Sequence, residues 1–151
     1  MSYEVRYNPI DLEENVAVGI KLPLVGKTGI LFDLSYSTEE QALSNLKNLI
    51  LTRQGERILQ PLFGTRLQDS LFEQNTDLLK EQIQSSILEA ISFWLPYIQV
   101  NDLIVQTVIA AGPSNEEHGI TISLKVSVND QEVNTPVTFL VTSTTVEEVI
   151  I

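Results

Sequence analysis

The sequence predicts an α+β domain: two helices packed on a small, mainly antiparallel β-sheet. Three observations predict it. Leu43, Leu46, Leu49 and Ile50 recur at helical spacing, and so do Leu79, Ile83, Ile87 and Ile91. After Pro96 the pattern becomes β-branched, and Ile120, Ile122, Leu124, Val126 and Val128 alternate with Thr121, Ser123, Lys125 and Ser127. Helices followed by strands, with no β–α–β alternation, favour a sheet with both helices on one face. The expected organisation is an extended arm over 1–36, a single domain over 37–143, and 144–151 as a tail or extra strand.

The arm has no helical period. Val16, Val18 and Ile20 alternate with Ala17 and Gly19, and Val25-Gly26-Lys27-Thr28-Gly29 reads as a loop. One or two short strands are predicted here, with partial mobility over 1–36 in the isolated protein. Ser37-Thr38-Glu39-Glu40 starts the first helix. The Ser37 hydroxyl accepts from a free N–H and the Glu40 carboxylate reaches back, a capping box. Both glutamates suit the positive end of the helix dipole. The helix is expected to end near Arg53, with Gly55 supplying a positive φ just beyond. Residues 56–76 read as irregular. Pro61 disfavours helix at Gln60. Phe63-Gly64 and Leu71-Phe72 are predicted anchors under the helices, with a turn of helix around 67–72.

Asp77 opens the second helix. Its predicted core face is Leu79, Ile83, Ile87, Ile91 and Trp94 or Leu95, with Leu78 and Leu88 widening the stripe. Pro96 stops it. Residues 103–110 are apolar on both faces, as in a central strand. Gly112-Pro113-Ser114-Asn115 marks a loop, and His118 is read as part of it. Residues 120–128 form a strand with one wet face, and Val137–Thr142 a third strand after Pro136.

The 151 residues suit one domain with a real core. The net charge of −11 argues against nucleic acid or an anionic membrane as partner, since both need a basic surface. The first residues, MSYEVRYNPIDLEE, carry no basic start followed by an apolar run, so no signal peptide is read. With no cysteine, neither a disulfide nor a thiolate metal site is possible, and no cofactor is expected.

Against this acidic background, arginine concentrates at Arg53, Arg57 and Arg66. The run over 45–64 reads N-L-K-N-L-I-L-T-R-x-G-E-R-I-x-Q-P-x-F-G. It resembles the small baseplate wedge subunit of contractile phage tails, a family with a related subunit in the type VI secretion baseplate. Gly19-Ile20-Lys21-Leu22-Pro23-Leu24 and Tyr36-Ser37-Thr38 resemble its T4-like members. The resemblance implies a structural virion protein, assembled in the host cytoplasm. It implies a fold similar to the domain through which tail sheath subunits exchange strands. It further implies clamping of other baseplate wedge proteins and a template for the first ring of tail sheath protein, with tail tube or hub proteins as further candidate partners. The motif positions Arg53, Gly55, Glu56, Arg57, Pro61, Phe63 and Gly64 become the candidate interaction residues.

Some members of that family carry a tail-lysozyme label, which makes peptidoglycan cleavage the rival reading. Glycoside hydrolysis needs two facing carboxyls, one of which keeps its proton. The candidates are Glu56, Asp69 and Glu73. Glu56 stands between Arg53 and Arg57, which suits a salt-bridged structural residue better than a general acid. His118 is the lone histidine, and Gly26-Lys27-Thr28 lacks the glycine spacing of a phosphate loop. A small open sheet must also have two edges. Val137–Thr142 contains no charge, so its Val137, Phe139 and Val141 are placed on the edge that would accept a sheath strand, with 144–151 covering or extending it.

Overall fold

The computed structural model describes residues 16–21, 32–70, 73, 76–110, 117–128, 131–132, 136–142 and 146–149. Strands β1 (Gly19–Ile20) and β2 (Leu34–Ser35) pair antiparallel. Helices α1 (Thr38–Leu51), α2 (Leu67–Ser70) and α3 (Asp77–Trp94) follow. The second sheet holds β3 (Ile98–Ala110), β4 (Glu117–Val128), β5 (Gln131–Glu132), β6 (Val137–Thr142) and β7 (Val146–Val149). Its order is β3-β4-β6-β7, with the short β5 also on β4, and every pairing is antiparallel.

Helix α1 begins as its sequence directs. Ser37 Oγ accepts from the Glu40 N–H at 3.2 Å. The Glu40 carboxylate reaches one residue further back than a standard box and accepts from the Tyr36 N–H at 3.2 Å. Ala42, Leu46, Leu49 and Ile50 are buried, while Leu43 packs at the margin of the core. The helix stops at Thr52, whose extended backbone turns the chain and whose Oγ1 donates to the Asn48 carbonyl at 2.6 Å.

Helix α3 opens at Asp77 as expected, and Thr76 caps it: the Thr76 hydroxyl accepts from the Leu79 N–H at 3.2 Å. Leu79, Ile83, Ile87, Ala90, Ile91 and Leu95 are buried. Leu78 and Leu88 do not widen this face, and are 63% and 44% exposed. Each lies about 100° around the helix from a buried neighbour, and that rotation carries it past the surface that α3 covers.

In the sheet, Val105, Ile122 and Phe139 face one another across three strands, as do Leu103, Leu124 and Val137. These rows and the helix stripes form one core. Ile98 and Val100 also belong to this core, yet Leu103 and Val105 have the opposite parity along β3. A bulge reconciles them: Val100 faces Val126 and Asp102 faces Lys125, leaving Asn101 as the extra residue. This break hid the first five residues of β3 from a reading based on alternation.

Three strand expectations need correction. Residues 103–110 lie not in a central strand but in β3, the outermost strand of this sheet among the described residues. Their two-sided apolarity leaves Ile104 43% exposed. His118 is in β4, opposite Ile109, not in a loop, because pairing begins before the alternation does. Val137–Thr142 has its predicted bounds as β6 but is not an edge. β7 pairs along it from Thr138–Val149 to Val141–Val146. A three-residue connection brings β7 back cheaply, so the extra strand foreseen at 144–151 closes the side of β6 that was expected to be open. The wet face of β4 is also partly closed, since Ser127 is buried and donates to Asn101 Oδ1 at 3.3 Å.

The β1–β2 pair sits against α1. Ser35, fully buried, donates to Gln41 Oε1 at 2.6 Å, and Lys21 pairs with Glu40 at 2.9 Å. Gln41 in turn donates to Asn45, and Asn45 to the Tyr97 hydroxyl, each at 3.0 Å. Most of the arm, and so most of the test of its mobility, lies outside the described residues, as do Leu71 and Phe72. No helix among the described residues is long and apolar enough to cross a membrane.

Candidate functional site

Between α1 and α2 the chain makes a finger over 53–64. Its two arms are tied by backbone bonds. The Thr65 N–H donates to the Thr52 carbonyl at 2.9 Å, the Gln54 N–H to Thr65 at 3.1 Å, and the Gly55 N–H to the Pro61 carbonyl at 2.8 Å. Thr65, itself buried, adds a side-chain bond to the Ile50 carbonyl at 3.0 Å. Two glycines make the path possible. Gly55 has φ +89° and Gly64 φ +109°. At Gly64 the arms are so close that a Cβ would stand 2.3 Å from the Thr52 carbonyl oxygen.

The charged residues of the motif brace this base. Glu56 accepts from the Arg53 N–H at 3.2 Å, closing the turn. It does not pair with the arginine side chains as expected, because each has another partner. Arg53 forms an ion pair with Asp69 of α2. Arg57 donates to Asn48 Oδ1 at 3.0 Å and lies 3.9 Å over the Phe63 ring. Arg66 donates to Gln54 Oε1 at 2.9 Å. Phe63 meets Trp94 edge-on with ring centroids 5.2 Å apart, and Trp94 meets Phe93 at 5.0 Å. The finger is therefore anchored to the C-terminal end of α3.

At the tip the chemistry reverses. Ile58 and Leu59 are 96% and 95% exposed, and Leu62 72%. Phe93, at the end of α3, is 72% exposed, and an open groove between the finger base and α3 is walled by Leu62, Arg66, Glu89 and Phe93. The arrangement presents apolar side chains on a braced support, with two guanidinium groups, those of Arg57 and Arg66, that bond amide oxygens and form no ion pair among the described residues.

Arg53, Gly55, Glu56, Arg57, Pro61, Phe63 and Gly64 thus come together in one finger. Val137, Phe139 and Val141 do not join them: they are buried in the core. Sequence reading missed Ile58, Leu59, Leu62 and Phe93 as surface residues. Apolar residues beside a proline fit an anchor under the helices as well as an exposed tip. Among the described residues no group of three His, Asp or Glu is placed to hold a metal.

The finger lies within a segment, residues 37–133, that matches the family described as baseplate wedge protein gp25. The baseplate wedge protein gp25 of Enterobacteria phage T4 is 31% identical over 99 residues, 65% of this chain and 70% of that protein. A chain in the cryo-EM structure of the anti-feeding prophage baseplate superposes with a TM-score of 0.58 at 23% identity, covering 74% of this chain and 84% of that one. A crystal structure from Geobacter sulfurreducens carrying a tail-lysozyme label gives a TM-score of 0.52 at 21% identity, over 70% of this chain and 89% of that one. These two likenesses establish the fold.

Proposed function

This chain belongs to the family of the baseplate wedge protein gp25, and on that premise we propose that its finger grips other wedge proteins, that its β7 edge receives a strand of tail sheath, and that it catalyses no reaction. Its role is structural, in the baseplate of a phage or prophage tail-like particle, where it assembles with other baseplate components.

The exposed tip carries the first part. Ile58 and Leu59 stand almost wholly in water at the end of a loop whose base is held by backbone bonds, an ion pair and ring contacts. Contiguous exposed apolar residues on a supported loop mark an interaction site. Arg57 and Arg66, bonded to amide oxygens and not ion-paired among the described residues, favour a partner surface that brings carboxylates. Replacing Ile58 and Leu59 together by serine should leave the fold intact and weaken co-purification with other wedge proteins by roughly thirtyfold or more, as for a central anchor. Unchanged co-purification by the folded variant would exclude the finger.

For the sheath, β7 has a neighbour on one side only among the described residues, whereas β6 is paired on both. Strand addition draws affinity from such free backbone groups. Against catalysis, Glu56 and Asp69 are engaged in bracing the finger. The tail-lysozyme label belongs to a structure that is similar in fold alone. Purified protein should release nothing from peptidoglycan. Hydrolysis that Glu56→Gln abolishes in a folded protein would sink the non-catalytic reading.

A further inference from the structure

The β1–β2 pair turns the usual arrangement of a strand pair round. Successive side chains of a strand alternate between its faces, and here the face toward α1 is the polar one. Gly19 and Ser35, opposed in the register, lie against Gln41, and Lys21 reaches Glu40. On the other face Ile20 is opposed to Leu34, and both are exposed, as are Phe32 and Tyr36 to either side of Leu34. Among the described residues, none of the apolar side chains in the core or packed against it comes from 16–36. The pair therefore lacks the apolar burial that joins α1, α3 and the second sheet.

Two α1 side chains fasten it instead. Gln41 Oε1 accepts from the buried Ser35 hydroxyl at 2.6 Å. The Glu40 carboxylate accepts from the Tyr36 N–H at 3.2 Å and pairs with Lys21 at 2.9 Å, but that ion pair is open to water. Gly19 makes room for the Gln41 bond. A Cβ there would overlap the Gln41 amide, and that flexible group would have to swing away from Ser35.

We propose that the β1–β2 pair is a detachable clasp, latched to α1 by the Gln41 side chain, which opens while the rest of the domain stays folded. The inference rests on neither the finger nor the sheath reading. Elements that share few buried apolar contacts with a core open separately from it. Two strands alone are marginally stable in water, so a clasp that leaves α1 also loses its own ladder. Gln41→Ala keeps a good helix former in α1 but leaves the buried Ser35 hydroxyl without its acceptor. Gly19→Ala reaches the same end by displacing the amide. Both substitutions strike one bond, so their effects should not add.

Hydrogen exchange of the full chain in low urea tests this. It reads protection at the Val18 and Lys21 amides, which donate to Ser35 and Asp33 across the pair, against protection over 120–126 in β4. In the unchanged chain the clasp amides should exchange through a separate and easier opening than those of β4. Gln41→Ala and Gly19→Ala should each lower protection at Val18 and Lys21 by about tenfold and leave 120–126 unchanged. The double variant should do no more than either alone. Clasp amides that open only together with β4 in the unchanged chain overturn the proposal. So does Gln41→Ala that leaves the clasp unaltered or loosens β4 equally. Additive effects of the two substitutions would overturn Gln41 as the latch.

Discussion

Gly55 and Gly64 share a positive φ but not their surroundings. A Cβ at Gly55 meets nothing within 4 Å, whereas at Gly64 it meets the Thr52 carbonyl oxygen, a backbone atom that cannot step aside. Gly55→Ala should therefore cost about 1 kcal/mol, the conformational penalty alone. Gly64→Ala should cost about 3 kcal/mol or more, since strain and steric overlap combine. Urea unfolding of the two variants checks the difference. A second residue-scale prediction concerns the Lys21–Glu40 pair, which ties the β1–β2 pair to α1. The hydrogen bond to Glu40 raises the Lys21 pKa above 10.5, aided by neighbouring negative charge and opposed by burial. Burial pushes the Glu40 carboxyl up, but bonds from Lys21 and the Tyr36 N–H outweigh it and hold it below 4.5. The Glu40 contribution is thus present above its unfolded pKa and lost as pH falls through the folded value. The Lys21 contribution is complete below 10.5 and lost as pH rises through its folded value. Both side chains are about a third or more exposed, so the effect is small and screened by salt. NMR titration of the Tyr36 amide should show a transition below pH 4.5 that shifts upward in Lys21→Met, and an unshifted transition would exclude the pairing.

At the scale of elements, what could be read in advance was whatever a local rule encodes. Ser37 and Glu40 announce α1, Pro96 ends α3, and the stripe from Leu79 to Ile91 is buried as its spacing requires. What stayed hidden depends on partners distant in sequence. The bulge at Asn101 reverses the parity of β3, so the strand looked shorter than it is. The position of β6 inside the sheet depends on β7, and a charge-free run such as Val137–Thr142 fits an inner strand as well as an open edge. The finger was legible as a motif, through its glycines, proline and arginines, but its exposure was not. Replacing Val146 by proline tests the β7 pairing. It removes one backbone donor from a four-residue strand opposite Val141. We expect increased amide exchange over 137–142 with α1 and α3 unaffected. Unchanged exchange would mean that β7 adds no protection to β6.

For the molecule as a whole, charge is the feature composition announces and the structure localises. A chain of net charge −11 places Arg53, Arg57 and Arg66 in and beside one finger. Arg57 and Arg66 spend their hydrogen bonds on amide oxygens, so their charge is available to a partner. Association with wedge proteins should therefore slow as salt rises, because screening removes attraction between exposed charges. The Ile58 and Leu59 variants should instead hasten dissociation. Stopped-flow mixing at two ionic strengths separates these effects, and an association rate indifferent to salt would deny the arginines a steering role. The ring contacts at the finger base have one more consequence. Trp94 is the single tryptophan of the chain, half-buried where Phe63 joins the finger to α3. The protein therefore has a built-in optical gauge at the base of its finger. The colour of its ultraviolet emission follows the dryness and rigidity of that one joint, without dye or label.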